Sequence, residues 1–334
     1  MNSRLRIQQT LANQNTGRAA RDLWLLPWAV DHHKDAVESI AADYPRDITN
    51  APAFLQTTPP TKGDPYRVGT YVDEWGCIFE QKQDGIIGEV KEPLVHDWTQ
   101  ADQVRIPKES LTVDTNQVNK FCRDTEKFVI GGCCPRPFER MQFIRTTQAL
   151  YMDLVDQPKE FLRLLERIHE HFKAELELWG TTDVDALMFM DDWGAQRSLL
   201  ISPSMWRDFF KPLYKDYIDI AHKHGKFIFM HSDGFILDIL PDLIELGLDA
   251  VNSQIFCMGL DKLRPFKGSI TFWGELDRQH LLPYGDREAI VQAVTDIKDN
   301  LYEQGGVIAQ CEFGIGAKPE NVRTMFETWD RLTN

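Results

Sequence analysis

No apolar run in this 334-residue chain approaches the roughly 18 residues that a membrane-spanning helix needs. Positive charge is also scarce: 37 Lys and Arg stand against 51 Asp and Glu, a formal net charge of −14. Phosphate recognition rests on Lys and Arg fields, so nucleic acid and anionic membrane surfaces are poor partners. Cysteines are few. The six, at positions 77, 122, 133, 134, 257 and 311, follow no regular spacing, and the vicinal Cys133-Cys134 pair is an awkward start for a disulfide framework. Met1-Asn2-Ser3-Arg4 leads into a polar helical stretch instead of an apolar leader. Reduced thiols in the cytoplasm are the resulting expectation. A Gly-x-Gly-x-x-Gly turn and a P-loop are both missing, which weighs against a doubly wound nucleotide-binding sheet.

What remains is ample for a folded enzyme. Apolar residues make up 43% of the chain, enough for a sizeable core. The length exceeds the roughly 250 residues of a typical (β/α)8 barrel yet is short for two comfortable domains. Residues 3–16 have helical spacing, Arg21 to Val30 reads as a buried strand that Pro27 kinks or ends, and 33–42 is helical. Tyr71 to Glu80 alternates like a strand or hairpin. From residue 112 the rhythm becomes strand, then helix. Strands are expected at 128–132, 186–190, 226–230, 250–254, 269–273 and 306–311. Helices are expected over 137–155, 158–179, 202–223, 235–246, 286–304 and 319–333. The expected fold is a single α/β domain, a (β/α)8 TIM-type barrel over 111–334 with an entrance elaboration over 1–110.

Polar residues follow these strands, at the carboxyl ends where barrels place their chemistry. The ends carry Asp191 and Asp192, His231 and Asp233, Gln254 with Cys257, Glu275, and Cys311 with Glu312. Imidazole, thiolate and carboxylate together form a zinc-type set with room for substrate. Taken alone, His231 is an ordinary core histidine and Cys311 a small buried hydrophobe. Taken together at two strand ends, they point to a shared metal ion. Glu275 is a candidate ligand and catalytic carboxylate. Asp233 either ligates or caps the following helix, and Cys257 is a further candidate. Asp191 and Asp192 either serve substrate or cap. Trp193 and Trp273 either pack or wall a pocket.

The ordered set Asp191-Asp192-Trp193-Gly194-Ala195-Gln196, Leu200-Ile201-Ser202-Pro203, Phe209-Phe210-Lys211-Pro212, His224-Gly225, His231-Ser232-Asp233-Gly234 and Pro241 to Gly247 resembles the uroporphyrinogen decarboxylase superfamily. Its cobalamin-dependent methyltransferase branch is the nearer likeness, with Asp73-Glu74-Trp75-Gly76 and Gly316 to Val322 also matching. The resemblance implies a distorted (β/α)8 barrel. It further implies zinc held by a His-x-Cys pair and a late Cys, matched here by His231 and Cys311. Asp233 stands where that branch has its middle Cys, so Asp233, Glu275 or Cys257 completes the set. The implied activity moves a methyl group between a small methylated compound, an ether in the first instance, and a corrinoid on a separate carrier protein. In that reading Asp192 is catalytic, while Trp193, Gln196, Trp273 and Asp191 shape the substrate pocket. The decarboxylases themselves fit less well. Leu23 to His32 lacks the arginine pair that grips porphyrin carboxylates, and Cys311 falls where they carry His. Two rivals are a metal-free decarboxylase using Asp73, Asp191 and Asp192 for proton work, and a non-catalytic barrel that binds a methylated ligand.

Overall fold

The computed structural model describes residues 1–333. Seven parallel strands form one curled sheet: β2 (Ile48–Asn50), β3 (Phe128–Ile130), β4 (Ala186–Met190), β5 (Phe227–Ser232), β6 (Ala250–Ser253), β7 (Thr271–Trp273) and β8 (Val307–Ile308). The eighth position is filled by the segment around β1 (Trp24–Leu25). On one side Arg21 O accepts from Asp47 N–H. On the other, the amides of Asp22, Trp24 and Leu26 donate to the carbonyls of Ala309, Cys311 and Phe313. These bonds close the ring into a (β/α)8 barrel, as the strand–helix rhythm requires.

Period-two alternation sorts each strand between two apolar clusters. Phe128, Ile130, Ala186, Met188, Phe229, Ala250, Trp273 and Ile308 pack together inside the barrel. Their out-of-phase neighbours, among them Val129, Leu187, Phe189, Ile228, Met230, Val251 and Phe272, pack outward among the helices. Followed toward the carboxyl ends, the inward phase arrives at Asp22, Asp192, His231, Asn252, Glu275, Gln310 and Glu312. The barrel mouth is therefore polar because of where the apolar runs stop.

Several elements differ from their sequence expectation. Pro27 begins a helix, Pro27–Asp43, instead of ending a strand, because its fixed φ and missing N–H suit a first helical turn. The same preference divides the helix expected to run to 223 into Pro203–Phe209 and Lys211–Lys223, with Pro212 opening the second piece. It also delays the helix expected from 235 to Leu240–Leu246, with Pro241 in its first turn. The helix expected over 137–155 breaks at Thr146, which stands at φ 69° and whose hydroxyl caps Ala149 N–H. The entrance elaboration contains a three-stranded antiparallel sheet of Gly69–Val72, Ile78–Gln81 and Glu89–Val90. No helix among the described residues is long and apolar enough to cross a membrane.

Candidate metal centre at the barrel mouth

Two loops are pressed together at the mouth. Gly194 and Gly234 cross so closely that a Cβ on Gly194 would lie 2.1 Å from Phe235 N, and one on Gly234 would lie 2.1 Å from Gly194 O. Gly234 also adopts φ +74°, which glycine takes without steric cost. Gly194 N–H donates to Asp233 O, Asp233 N–H to Asp192 Oδ1 (2.9 Å), and Trp193 N–H to Ser232 Oγ. The loops after β4 and β5 thus hold Asp192 and Asp233 on either side of the His231 ring.

His231 Nε2 lies 3.5 Å from Asp192 Oδ1 and 3.7 Å from Asp233 Oδ1. Among the described residues, Asp192, His231 and Asp233 are the one group whose donor atoms converge tightly enough to hold a metal ion. The ring is fixed from behind. Asn252 Nδ2 donates to Trp273 O (2.5 Å), which turns Asn252 Oδ1 toward His231 Nδ1 at 2.6 Å. Nδ1 must then carry the proton, leaving Nε2 to face the carboxylates, as in metal-ligating histidines. Trp24 leans on the same ring at 5.0 Å and meets Trp273 edge-on at 5.3 Å.

One guanidinium spans the acids around this group. Arg278 pairs with Asp233, with Glu312 at 2.9 Å, and lies 3.6 Å from Glu275. Burial is the main cause that drives the Glu275 carboxyl far above its usual range and raises those of Glu312 and Glu139. Asp22, on the inward row beside Trp24, is pushed up to about 6 by burial, and its Oδ1 has no hydrogen-bond partner. Crowded acids in low dielectric favour an added cation.

The other expected site residues are dispersed. Asp191 is fully buried; its two oxygens accept from the amides of Phe138 and Glu139 and from Tyr214 Oη at 2.7 Å, so it caps the helix Pro137–Arg145. Trp193 is equally buried, donating to Tyr214 Oη at 2.7 Å and stacking on Phe138 at 4.1 Å. Trp273 packs inside the barrel. Gln196, Cys257 and Glu275 line a small cavity of about 200 Å3 with Gln254, Arg278 and Gln279. The Cys257 thiol donates to Gln254 O, and burial pushes its pKa up to about 11. Cys311 is fully buried in the outward cluster with Ala309 and Phe313, out of phase with the mouth row, and its thiol is pushed well up by burial. The structure thus brings His231 and Asp233 together with Asp192, whereas Cys311, Cys257 and Glu275 stand outside that group. Asn252 and Arg278 escaped sequence reasoning. Asn252 lies two residues before Gln254 on the inward phase, a signal that was present.

The (β/α)8 barrel thus carries at its carboxyl-end mouth an imidazole and two carboxylates whose donor atoms could hold a metal ion. The uroporphyrinogen decarboxylase family model matches residues 69–332, and the chain belongs to that family. No curated protein matches it. Among solved structures, it is similar over the full length of both chains to a methyltransferase from Methanosarcina mazei, at 13% identity and a TM-score of 0.70. That likeness is one of fold. A 3-keto-D-glucoside 4-epimerase from E. coli matches more weakly, at 12% identity and a TM-score of 0.40, over 66% of this chain and 84% of that one.

Proposed function

We propose that the chain is a methyltransferase that moves a methyl group between a small O-methylated compound and a corrinoid held on a separate carrier protein, using a zinc ion bound by His231, Asp192 and Asp233. The observation that carries this reading is the convergence of those three side chains with the imidazole tautomer fixed by Asn252. Tetrahedral zinc with bonds of about 2.0–2.1 Å needs donors roughly 3.3 Å apart; His231 Nε2 stands 3.5 and 3.7 Å from the two carboxylates, and all three donor atoms lie within 4.8 Å of one another. Three protein donors leave a fourth position for substrate, the pattern of catalytic zinc. Bound there, the metal would serve as a Lewis acid toward the oxygen that carries the methyl group.

The chain's own residues supply the rest. Asn252 orients the imidazole, and the Gly194–Gly234 crossing holds the two carboxylates in place. Oxygen donors at Asp192 and Asp233 suit an oxygen-bearing substrate better than the soft thiolate set of the zinc methyltransferases would. Glu275, Gln196 and Gln254 face the 200 Å3 cavity with polar groups that can orient a small ligand. Trp24 and Trp273 shield the ring side of the site from water. The full-length likeness to the M. mazei methyltransferase supports the reading.

Zinc content of the purified protein, together with methyl transfer from a methoxylated donor to reduced cobalamin, provides the test. About one zinc per chain and loss of transfer in His231→Ala are expected. Well under one zinc per chain, with His231→Ala fully active, would overturn the mechanism. The rival reading, a metal-free decarboxylase, draws on Asp22 as a buried acid with a pKa of about 6. Release of carbon dioxide from small carboxylic acids by chelator-treated protein would favour it.

A further inference from the structure

A larger cavity, of about 430 Å3, lies between the entrance elaboration and the helices Pro137–Arg145 and Lys159–Gly180. It shares no lining residue with the Asp192–His231–Asp233 group. Its walls carry several aromatic rings, including Tyr71, Phe79, Phe172 and Trp179. Three carboxyl side chains, Asp73, Glu74 and Glu175, face it against two guanidiniums, Arg136 and Arg140.

Those guanidiniums are already engaged. Arg140 pairs with Asp73, reaches Glu74 at 3.4 Å, and covers the faces of Trp75 (4.8 Å) and Phe143 (5.4 Å). Arg136 lies 4.0 Å from Glu139. Asp73 is consumed as well: its Oδ1 accepts from the amides of Trp75 and Cys77, and its Oδ2 takes Arg140. Glu175 is different. It is only 9% exposed, has the Ser110 hydroxyl beside it, and among the described residues finds no Lys or Arg within salt-bridge distance. Its nearest ring nitrogen, His171 Nε2, is 3.6 Å from Oε1. That ring is packed edge-on against Trp75 and has its pKa lowered to about 4 by burial, so it is neutral and provides no counter-charge. A buried carboxyl without a cation, aimed into an aromatic chamber, is a costly arrangement unless a ligand completes it.

We propose that this cavity is a second ligand site, taking a compact organic cation whose ammonium pairs with Glu175 and whose apolar body lies against Phe172, Trp179 and Tyr71. Anionic ligands are disfavoured by the excess carboxyl, and both arginines have partners. Aromatic faces and a carboxylate together are the usual recognition set for ammonium groups. The site is independent of the metal centre and of the methyl-transfer reading.

Benzylammonium, benzyl alcohol and benzoate, titrated into chelator-treated full-length protein, make the test; Trp75 and Trp179 report occupancy by fluorescence and calorimetry gives the affinity. Benzylammonium should bind at least ten-fold more tightly than benzyl alcohol, and benzoate more weakly than either. Glu175→Gln should remove the preference for the cation while leaving the alcohol's affinity unchanged. Ile87→Trp, a change at an exposed rim position of the cavity, should weaken the cation and the alcohol alike; it keeps the test usable should the glutamine variant fold poorly. His231→Ala should bind benzylammonium as the wild type does. Benzoate binding as tightly as benzylammonium, no binding of any probe at millimolar concentration, an unchanged preference in Glu175→Gln, or loss of binding in His231→Ala would each overturn the proposal.

Discussion

The barrel mouth and the entrance cavity solve the same problem, buried acid, in opposite ways. At the mouth, Arg278 is divided among Asp233, Glu275 and Glu312, and Asp233 also converges with Asp192 on a histidine whose ring is fixed in place. In the entrance cavity, Arg140 pairs with Asp73 and Glu74, and Glu175 has beside it only a neutral imidazole and the Ser110 hydroxyl. The first arrangement is pre-organised by strands in register, and a point charge fits it. The second is assembled by a helix and loops from distant parts of the chain, and its open volume suits a body with a charged end. Rigidity around the donors, more than the number of acids, separates the two.

Several experiments would break or sharpen this contrast. His231→Ala should produce the largest change: zinc affinity, measured by competition with a chromophoric chelator, should fall by more than about a hundred-fold, since a direct ligand is lost. An unchanged affinity would remove the mouth's claim to a metal. Glu175→Gln should come next, read as stability by denaturant unfolding at two pH values. Burial pushes the Glu175 carboxyl up from its ordinary 4.5 to about 7. The native state therefore holds a proton that the unfolded chain releases between those values, so the wild type loses stability as pH rises from 4.5 through 7. Gln pays no such penalty, and the variant should be more stable than wild type at pH 8 by up to about 3 kcal/mol. The two should converge near pH 4; equal stability at both pH values would mean Glu175 has a cation the geometry does not supply.

Asn252→Ala should lower zinc affinity by about ten- to a hundred-fold while leaving the far-ultraviolet spectrum unchanged, because it only orients the ring. Cys311→Ser should have the smallest effect at the mouth. A hydroxyl in an apolar slot should cost about 1–3 kcal/mol of stability, while zinc stoichiometry stays the same. Loss of the metal in that variant would return Cys311 to the ligand set.

Much of this was legible in the chain. Continuous apolar runs ending in Asp-Asp-Trp-Gly and His-Ser-Asp-Gly located β4 and β5 and the side chains at their tips. What one strand cannot reveal is phase relative to its neighbours. Cys311 and Glu312 are adjacent in sequence, and only the ring decides that Glu312 faces the mouth while Cys311 packs outward. β2 was missed because Ile48-Thr49-Asn50 is too short to display periodicity. Arg278 carried no local signal, since its role lies in reaching acids from three strand ends at once. The entrance cavity was hidden for the same reason: its lining runs from Ala53 to Trp179, and no stretch of the sequence contains the whole of it.

The seam between Arg21 to Leu26 and Ala309 to Phe313 has a bearing on how the molecule comes into being. Its two halves stand about 290 residues apart in the sequence, so the whole barrel lies between them. Contacts so remote in sequence are slow to form, because the entropy of closing the intervening loop precedes any gain. Until the final strand arrives, the nascent sheet has two raw edges that can pair with other chains. Closure of the ring thus waits on the later half of the seam, and chains lacking residues 307–313 would remain open and adhesive however sound the rest of their core.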